Sequence, residues 1–438
     1  DQLSISGIAS LSNFLLENHP KLKKANEDIG TIMSSKMLLK GDAIVTAFGV
    51  AGTEASDSKR LISLLEKLDL SAHSNGQCGK IGLGTSNILS MACELLLNRS
   101  MESTFLLIEE PEAHVHAQRQ LRLIQSLQTE AATSGVNQQI IITTHSPLMA
   151  SVISLEHISI VKSAKVFSLR YGKTRLSKDD YVFLERYLDA TKANLFFAKA
   201  IMMVEGPSEE FLIPTISKII GKDFTEYGVS VVNVRGTGLR RFAKILQRAD
   251  ASETLDIRVS CMTDRDVMPN CAPAICIDQR YSDIALWPEK EKRNWKAECD
   301  FISQNERDLY LKRILERANG QQVKTFVANH WTFEYDLAYA GLADELIEAI
   351  VAVRYESQNR EQMIKDIQKK CEEFPDNESK SAYLYSYFSL KGTSKAEVAQ
   401  HLSFILETKY ASDPKALCER LPPYIRDAIN YVTEQEDA

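Results

Sequence analysis

The sequence is poor in the features that mark specialised classes of protein. Its 438 residues contain no run of about eighteen apolar residues and no signal-peptide pattern, so we expect a cytosolic protein without a transmembrane helix. The eight cysteines are scattered and form no CxxC pair or Cys/His cluster. The sequence therefore offers no zinc site, and we expect reduced cysteines that lie mostly in cores.

Positive charge is also in short supply. The chain has 52 Lys and Arg residues against 59 Asp and Glu residues, which gives a formal net charge of −7 at pH 7. This balance argues against indiscriminate electrostatic binding to nucleic acid, so any DNA site must be a local basic patch. Because 438 residues exceed what one hydrophobic core usually holds, the length predicts two or three domains.

The first part of the chain changes character near residue 75. Residues 1–75 show apolar positions at helical spacing, and we expect a helical connector or dimerisation segment there. In residues 76–190 a Gly-rich loop leads into a helix, and two apolar strands follow at 104–112 and 138–147. This order of elements predicts an α/β fold with a parallel sheet.

Residues 195–438 predict a second α/β domain. Short β-rich runs alternate with helical stretches, and in such a fold functional residues are expected at the carboxyl ends of the strands. The predicted strands are 200–206, 229–236, 256–266 and 323–337. A charged segment at about 279–322 indicates a helical insertion before the last strand, and the C-terminal part is predicted to be helical.

Two acids end the strand "TFLLIEEPE". Glu109 and Glu110 stand where a Walker B strand places the acid that orients hydrated Mg²⁺ and the acid that polarises the attacking water. Taken alone, such a pair is more often a solvated strand end. The first acid is usually Asp in these ATPases, and Glu109 retains its charge.

Three further motifs in the correct order strengthen this interpretation. "IGLGTSNIL", "EAHVH" and "TTHS" resemble the signature loop, the D-loop and the switch histidine of ABC-type ATPases. Glycines allow the backbone to approach a phosphate closely, and the helix N-terminus that follows offers donors and a positive dipole. The residues that the resemblance assigns to ATP are Gly82, Gly84, Ser86, Asn87, Glu109, Glu110 and His145.

The phosphate-binding loop of such ATPases is missing. No GxxxxGK[ST] motif occurs, because Gly79-Lys80 lacks the preceding glycine and Gly221-Lys222 is followed by Asp223 rather than by Ser or Thr. We therefore expect residues 76–190 to be the C-terminal lobe of an ABC-type ATPase, without the lobe that carries this loop.

A second pair of motifs, "VEGPSEE" and "TDRD", resembles the Toprim domain, a metal-binding module of topoisomerases, primases and some nucleases. Two-metal cleavage of a phosphodiester needs carboxylates that converge on Mg²⁺ or Mn²⁺ ions about 4 Å apart. The carboxylates in these motifs are Glu205, Glu209, Asp264 and Asp266. A solvated acidic loop is the ordinary explanation for either motif alone, and the pair in order favours the metal site.

A basic segment, "VRGTGLRRFAKILQR", lies between the two motifs. It is the local cationic patch that DNA binding requires, although an ordinary solvated helix face explains it about equally well. The predicted DNA-binding residues are Arg235, Arg240, Arg241, Lys244 and Arg248.

A Toprim domain behind an ABC-type ATPase resembles the OLD (overcoming lysogenisation defect) family of nucleases, which includes the nuclease subunit of the bacterial Gabija anti-phage system. The resemblance covers roughly residues 75–400. By position, Glu334 and Asp336 in "HWTFEYDL" would join the metal shell, and Lys395 would be the catalytic lysine, with Lys391 as a rival. A catalytic lysine would stabilise charge that develops on the phosphate.

The resemblance implies an ATP-regulated, metal-dependent DNA endonuclease of anti-phage defence. Its implied cofactors are ATP and Mg²⁺ or Mn²⁺. Its implied partners are DNA, further copies of the chain in a homodimer or higher oligomer, and a UvrD-like helicase, with no membrane.

Other classes remain open on the sequence alone. A topoisomerase would share the metal site but needs a nucleophilic tyrosine, and nothing marks any of the 15 tyrosines for that role. A primase would need template-binding modules that the sequence does not show. A non-catalytic SMC-like clamp or sensor is a third reading, which the presence of all four core carboxylates disfavours.

Overall fold

The computed structural model divides the chain into two compact units, Asp1–Val152 and Ile153–Ala438. It describes residues 11, 14–38, 44–50, 68–74, 77–78, 82–98, 103–133, 137–236 and 238–434. Within these residues no helix is long and apolar enough to cross a membrane. Each unit has its own sheets and core.

Two small sheets lie in the part of the first unit that the structure describes. Strands β1 and β2 pair antiparallel, as do β2 and β3, whereas β4 and β5 pair parallel with Glu109 opposite Thr143. The strands are β1 Ile44–Val50, β2 Leu68–Ser74, β3 Gln77–Cys78, β4 Ser103–Glu109 and β5 Asn137–Thr143. The helices are α1 Pro20–Ile32, which a π-helical turn Met33–Met37 continues, α2 Leu83–Asn98, α3 Ala117–Thr133 and α4 Pro147–Ala150.

The core of the first unit joins its helices to strand β4. Leu106 and Ile108 alternate with exposed Phe105 and Leu107, and their inward side chains share one apolar cluster with α1, α2 and α3. The prediction of a purely helical segment over 1–75 is wrong for β1 and β2, which are strands. Paired neighbours in the antiparallel sheet override the local helical spacing there. Residues 51–67 lie outside the described part.

The second unit is built on a four-stranded sheet and a shell of helices. Its strands are β6 Ser159–Lys162, β7 Lys165–Ser168, β8 Ala200–Val204, β9 Val229–Asn233, β10 Arg258–Thr263 and β11 Val323–Val327. Its first helices are α5 Lys178–Tyr187, α6 Pro207–Ile219, α7 Phe224–Tyr227, α8 Leu239–Ile245, α9 Ala272–Cys276 and α10 Gln304–Glu316. The remaining helices are α11 Phe333–Leu337, α12 Ala343–Arg354, α13 Arg360–Glu372, α14 Asn377–Ser389, α15 Lys395–Tyr410, α16 Pro414–Arg420 and α17 Pro423–Thr433.

The main sheet is parallel, and its strand order β11-β10-β8-β9 creates a crevice at one edge. From β8 the chain moves to β9 on one side and later to β10 on the other, so the order reverses between β8 and β10. Ligand sites of open α/β sheets lie at such a switch point, outside the carboxyl ends of the strands. Every residue of β8 is buried, as expected for a strand covered on both faces.

The second unit begins well before the predicted boundary at residue 195. The hairpin β6-β7 and helix α5 belong to it, and the loop that joins them is bonded to the segment after α8. The Arg175 amide donates to the Gln247 carbonyl at 3.0 Å, and the Ala249 amide donates to the Lys173 carbonyl at 3.0 Å. The boundary therefore depends on contacts between residues far apart in the sequence, which the local spacing of apolar residues does not predict.

Two element predictions need correction. The predicted strand over 323–337 ends at Val327, and residues 333–337 form helix α11, because the Thr332 side chain accepts the Tyr335 amide and caps a helix there. The predicted insertion at 279–322 is helical only in part. Four short 3₁₀ turns precede α10, which begins at Gln304.

Candidate functional site

Strand β8 ends directly before the acidic motif, and a Gly-Pro pair turns the chain into helix α6. Pro207 occupies the first turn of α6, where its missing amide proton costs nothing. Glu205 lies at the strand exit and Glu209 lies in the first helical turn. A Cβ atom at Gly206 would approach Glu209 Oε2 to 2.8 Å, so a larger residue at this position would require the Glu209 carboxylate to move.

Strand β10 delivers the second pair of acids to the same edge of the sheet. The Thr263 hydroxyl donates to Glu205 Oε2 at 3.1 Å and thereby joins the ends of β8 and β10. Asp264 Oδ1 accepts the Phe333 amide at 2.9 Å, which attaches the start of α11 to this strand end. Asp266 is exposed and has a positive φ of 56°. Non-glycine residues rarely adopt this conformation, and those that do are found frequently at functional sites.

Glu334 on helix α11 completes the cluster from the other side. Its Oε1 accepts the Ser208 hydroxyl at 2.8 Å, and its Oε2 accepts Lys395 Nζ at 2.8 Å. Glu334 is buried, with 5% of its surface exposed. The structure therefore places Lys395 among the carboxylates. Lys391 lies elsewhere, with its Nζ 3.4 Å above the Tyr387 ring.

The cluster concentrates negative charge away from water. Burial, with the nearby Asp266, raises the pKa of the Glu205 carboxyl to about 7, and burial, with the nearby Glu334, raises that of Glu209 to about 7. Burial and the charges of Glu209 and Glu334 raise the pKa of Asp264 well above its usual range. The site thus carries an electrostatic strain that a cation would relieve.

The donor chemistry of this cluster suits a hard divalent cation, because Mg²⁺ and Mn²⁺ prefer carboxylate oxygens. Within the described ranges, no three Asp, Glu, His or Cys side chains are already arranged to hold one ion. Glu334 is engaged by Ser208 and Lys395, and Glu205 is engaged by Thr263. Metal binding therefore fits the residues present and requires their side chains to turn towards the ion.

Asp336 does not share the contacts of this cluster. Its Oδ1 accepts the backbone amides of His330 and Trp331 at 3.2 Å, and it is 1% exposed. The carboxylate therefore holds the loop before α11 in place. Asp336 was predicted to be a metal ligand, whereas its contacts in the structure give it a structural function.

The predicted basic face is only partly available to a ligand. Arg248 lies beyond the end of α8 and is 2% exposed, with its guanidinium donating to the Ser168 carbonyl at 2.6 Å. Arg241 Nε donates to Asp180 at 2.9 Å, and Lys244 Nζ lies 3.9 Å from the same carboxylate. Arg235 and Arg240 remain exposed. The DNA-binding prediction is therefore wrong for Arg248, because packing against β7 buries it.

The first unit brings Glu110, one of the two predicted Walker B acids, next to the predicted switch histidine. The Glu110 amide donates to the Thr143 carbonyl at 3.0 Å, and His145 Nε2 lies 3.5 Å from Glu110 Oε1. Glu110 has a positive φ of 42°. Glu112 Oε1 accepts the Thr144 hydroxyl at 2.7 Å and the His145 amide at 2.6 Å. This acid fixes the loop that carries the histidine.

The glycine-rich loop packs against the predicted D-loop within the same unit. A Cβ atom at Gly84 would lie 2.1 Å from the His114 carbonyl oxygen, whereas one at Gly82 would meet nothing within 4 Å. Only glycine therefore permits this approach at position 84. Ser86 and Asn87 lie in the first turns of α2, Ser86 being exposed and Asn87 partly buried.

Several contacts at these sites were not predicted from the sequence. Ser208 and Thr263 hold carboxylates, and Glu112 holds the switch loop. Ser208 and Thr263 are next to predicted acids in the sequence, and this position could have indicated that their hydroxyls take part in the site. Neither hydroxyl's partner could be read from local spacing, since Ser208 and Glu334 are 126 residues apart.

Two protein families match parts of the chain, one in each unit. Residues 196–266 match the family described as the overcoming lysogenization defect protein-like Toprim domain. Residues 10–150 match the AAA ATPase domain. The second match includes most of the segment that was predicted as a separate helical connector.

Two curated proteins are similar to this chain at low sequence identity. The chain is similar to endonuclease GajA of Bacillus cereus (strain HuB5-5), with 23% identity over 406 residues, 81% of this chain and 53% of that protein. It is also similar to protein YbjD of Escherichia coli (strain K12), with 26% identity over 148 residues, 33% of this chain and 25% of that protein. The chain thus spans about half the length of the endonuclease.

Two solved structures resemble part of the chain. The C-terminal region of the Burkholderia pseudomallei OLD protein is 23% identical, covers 54% of this chain and 97% of its own, and has a TM-score of 0.32. The corresponding region from Xanthomonas campestris pv. campestris is 22% identical, covers 55% of this chain and 94% of its own, and has a TM-score of 0.32.

Proposed function

We propose that this chain, which joins an AAA ATPase domain to an OLD-like Toprim domain, is the core of an ATP-regulated DNA endonuclease that depends on divalent metal. One observation carries the proposal. Hydrogen bonds join the elements that carry the acids at the switch point of a parallel sheet. Thr263 on β10 donates to Glu205 after β8, the Phe333 amide of α11 donates to Asp264, and Ser208 on α6 donates to Glu334. The similarity to an endonuclease supports the same conclusion.

The metal-holding residues in this proposal are Glu205, Glu209, Asp264, Asp266 and Glu334. When bound, Mg²⁺ or Mn²⁺ supplies an activated water and neutralises charge on the phosphate and the leaving oxygen. The raised pKa values of Glu205 and Glu209 support this assignment, because carboxylates that resist ionisation when no cation is present gain most from one.

Lys395 is the proposed residue for stabilising charge on the reacting phosphate. Burial would lower its pKa, but Glu334 outweighs this effect and raises the pKa of Lys395 above its ordinary value. The ammonium group therefore stays protonated at every working pH. Its ion pair with Glu334 positions it next to the carboxylates, where a fixed positive charge favours the transition state.

The first unit has the proposed role of a regulatory ATP site. Glu110 beside His145 supports it, since a carboxylate and a histidine at the ends of adjacent strands can orient water and sense the γ-phosphate. The signature-like loop would complete a nucleotide site on another copy, so we propose a homodimer or higher oligomer. Anti-phage defence and a UvrD-like helicase partner belong to the same proposal. Light scattering that returned a concentration-independent monomer would contradict the assembly.

A topoisomerase is the second candidate, because it would use the same carboxylates. The tyrosines that interact electrostatically with the carboxylates include Tyr385 and Tyr424, and burial raises the pKa of each. Tyr424 is 6% exposed and belongs to the apolar core, which disfavours attack on DNA. These observations favour hydrolysis over a covalent tyrosine link.

A plasmid assay with Mg²⁺ or Mn²⁺ tests the proposed function. Nicked or linear DNA with free ends is the expected product, and ATP should change its rate of formation. Relaxed circles with a protein-linked end would identify a topoisomerase. Intact supercoiled DNA with either metal, with and without ATP, would contradict both enzymatic functions.

A further inference from the structure

A cavity of about 340 Å³ opens beside Glu205 in the second unit. Three of its lining residues are arginines: Arg240, Arg241 and Arg317. The hydroxyl-bearing residues Thr263 and Thr325 also line it. Arg317 follows α10, and its guanidinium acts electrostatically on the Glu205 carboxylate. A cavity with three guanidinium groups and a single carboxylate has a surplus of positive charge.

The arginines differ in how firmly they are held. Arg241 is fixed, since its Nε donates to Asp180 at 2.9 Å and its guanidinium stacks 4.0 Å above the Phe183 ring. Arg240 and Arg317 are exposed and form no ion pair with any carboxylate in the described part of the chain. One guanidinium is thus pre-organised and two are available to a ligand, an arrangement that suits a charged oxyanion.

A buried hydroxyl provides an independent sign of a ligand. Thr325 is 8% exposed, and its Oγ1 is buried without a hydrogen-bond partner. A buried hydroxyl without a hydrogen-bond partner destabilises the folded chain, so this group indicates a partner that the chain itself does not supply. An acceptor oxygen placed in the cavity would supply one.

We propose that this cavity binds a backbone phosphate of the DNA next to the one that is cut, with Arg240, Arg241, Arg317 and Thr325 as its ligands. The inference rests on the proposed nuclease function, because the cavity adjoins Glu205. Guanidinium groups bind phosphate oxygens through paired donors, and a phosphate held here sets the register of the strand on the carboxylates. Arg317 and Thr325 are positioning residues for cleavage.

Binding of a labelled oligonucleotide in EDTA tests the arginine without any cleavage. Arg317→Ala should weaken binding about tenfold at low salt and reduce the slope of log K against log salt by about one. Arg313→Ala, in the last turn of α10, is the matched control, because Arg313 is also exposed but does not line the cavity. Equal losses in both variants, or no loss in Arg317→Ala, would overturn the proposal.

Thr325→Val tests the buried hydroxyl by removing it at constant shape. If the hydroxyl forms its hydrogen bond only with a bound phosphate, the variant should melt at an unchanged or higher temperature and bind the oligonucleotide several-fold more weakly. A lower melting temperature with unchanged affinity would show that Thr325 serves folding and would overturn its assignment. Inorganic phosphate should raise the melting temperature of wild type more than that of Arg317→Ala, at matched ionic strength with chloride.

The two proposals fail in different ways. A wild-type protein that binds DNA through Arg317 but leaves plasmid intact with Mg²⁺ and Mn²⁺ would contradict the nuclease and support the phosphate site. A protein that nicks plasmid while Arg317→Ala matches Arg313→Ala in affinity, salt slope and KM would support the nuclease and contradict the phosphate site.

Discussion

Lys395 Nζ donates to Glu334 Oε2 at 2.8 Å, although the two residues are 61 positions apart. This ion pair joins the first turn of α15 to the carboxylate cluster at the ends of β8 and β10. It also separates Lys395 from Lys391, which lies over an aromatic ring. Of the two lysines between which the sequence could not decide, Lys395 contacts a carboxylate of the cluster and Lys391 contacts the Tyr387 ring.

Replacing Lys395 by Met should reduce plasmid nicking by a factor on the order of a hundred or more, because a fixed positive charge beside the reacting phosphate is lost. Lys391→Met is the matched control and should keep most of the activity. Nicking rates at saturating Mg²⁺ and Mn²⁺ would measure both. Equal rates for the two variants would contradict the assignment of Lys395.

Asp264→Asn should abolish most nicking and leave the fold intact. The amide keeps an acceptor oxygen for the Phe333 amide but removes a charge that the metal requires. Without metal, relief of the repulsion from Glu209 and Glu334 should leave the melting temperature unchanged or higher. The Mn²⁺-induced rise in melting temperature should shrink. Wild-type nicking by this variant would mean that these carboxylates are not catalytic.

The metal-free protein should lose stability as the pH rises through about 7. The pKa values of Glu205 and Glu209 rise from 4.5 to about 7 on folding, so the native state binds both protons more tightly than the unfolded chain does. Their contribution is complete below pH 4.5 and disappears as the pH passes about 7. Melting curves in EDTA across this window would measure the loss.

The double variant Glu205→Gln, Glu209→Gln serves as the control for this pH dependence. It should flatten the decline, because glutamine does not titrate. In wild type, adding Mg²⁺ or Mn²⁺ should have a similar effect, since a bound cation stabilises the ionised carboxylates. The same decline in wild type and in the double variant would show that other groups cause it.

Arg248→Ala should destabilise the second unit by about 3 kcal/mol, because the change leaves a cavity in place of a buried side chain and removes its hydrogen bond to the Ser168 carbonyl. DNA affinity per folded molecule should stay unchanged. Arg235→Ala, an exposed position in the same predicted basic segment, is the control for charge and should not alter stability. Denaturant unfolding and oligonucleotide binding would measure the two effects.

Gly84→Ala should destabilise the first unit by about 1–3 kcal/mol, since the new methyl group would overlap the His114 carbonyl and force the backbone apart. Gly82→Ala should not, because the space around that position is open. Thermal unfolding compares the two variants directly. Similar melting temperatures would contradict the close approach of the glycine-rich loop to the following loop.

Local sequence patterns were enough to predict the class of fold and the position of the main acids. Apolar runs that end in Glu109 or Glu205 are local patterns, and parallel strands place such ends at one edge of a sheet wherever the rest of the chain goes. The prediction of two α/β domains with parallel strands is confirmed. The turn "GPSEE" likewise predicts a strand exit followed by a helix start, because Gly and Pro impose local backbone geometry.

Contacts between side chains that are far apart in the sequence could be seen only in the folded units. Ser208 contacts Glu334, which is 126 residues away in the sequence. Arg248 does not lie on the predicted basic face, because the chain after α8 packs on β7. Residues 44–50 and 68–74 are strands because the two segments pair with each other in an antiparallel sheet. Local spacing fixes which face of an element is apolar, whereas partners across the chain depend on packing of the whole unit, and no short stretch of sequence contains that information.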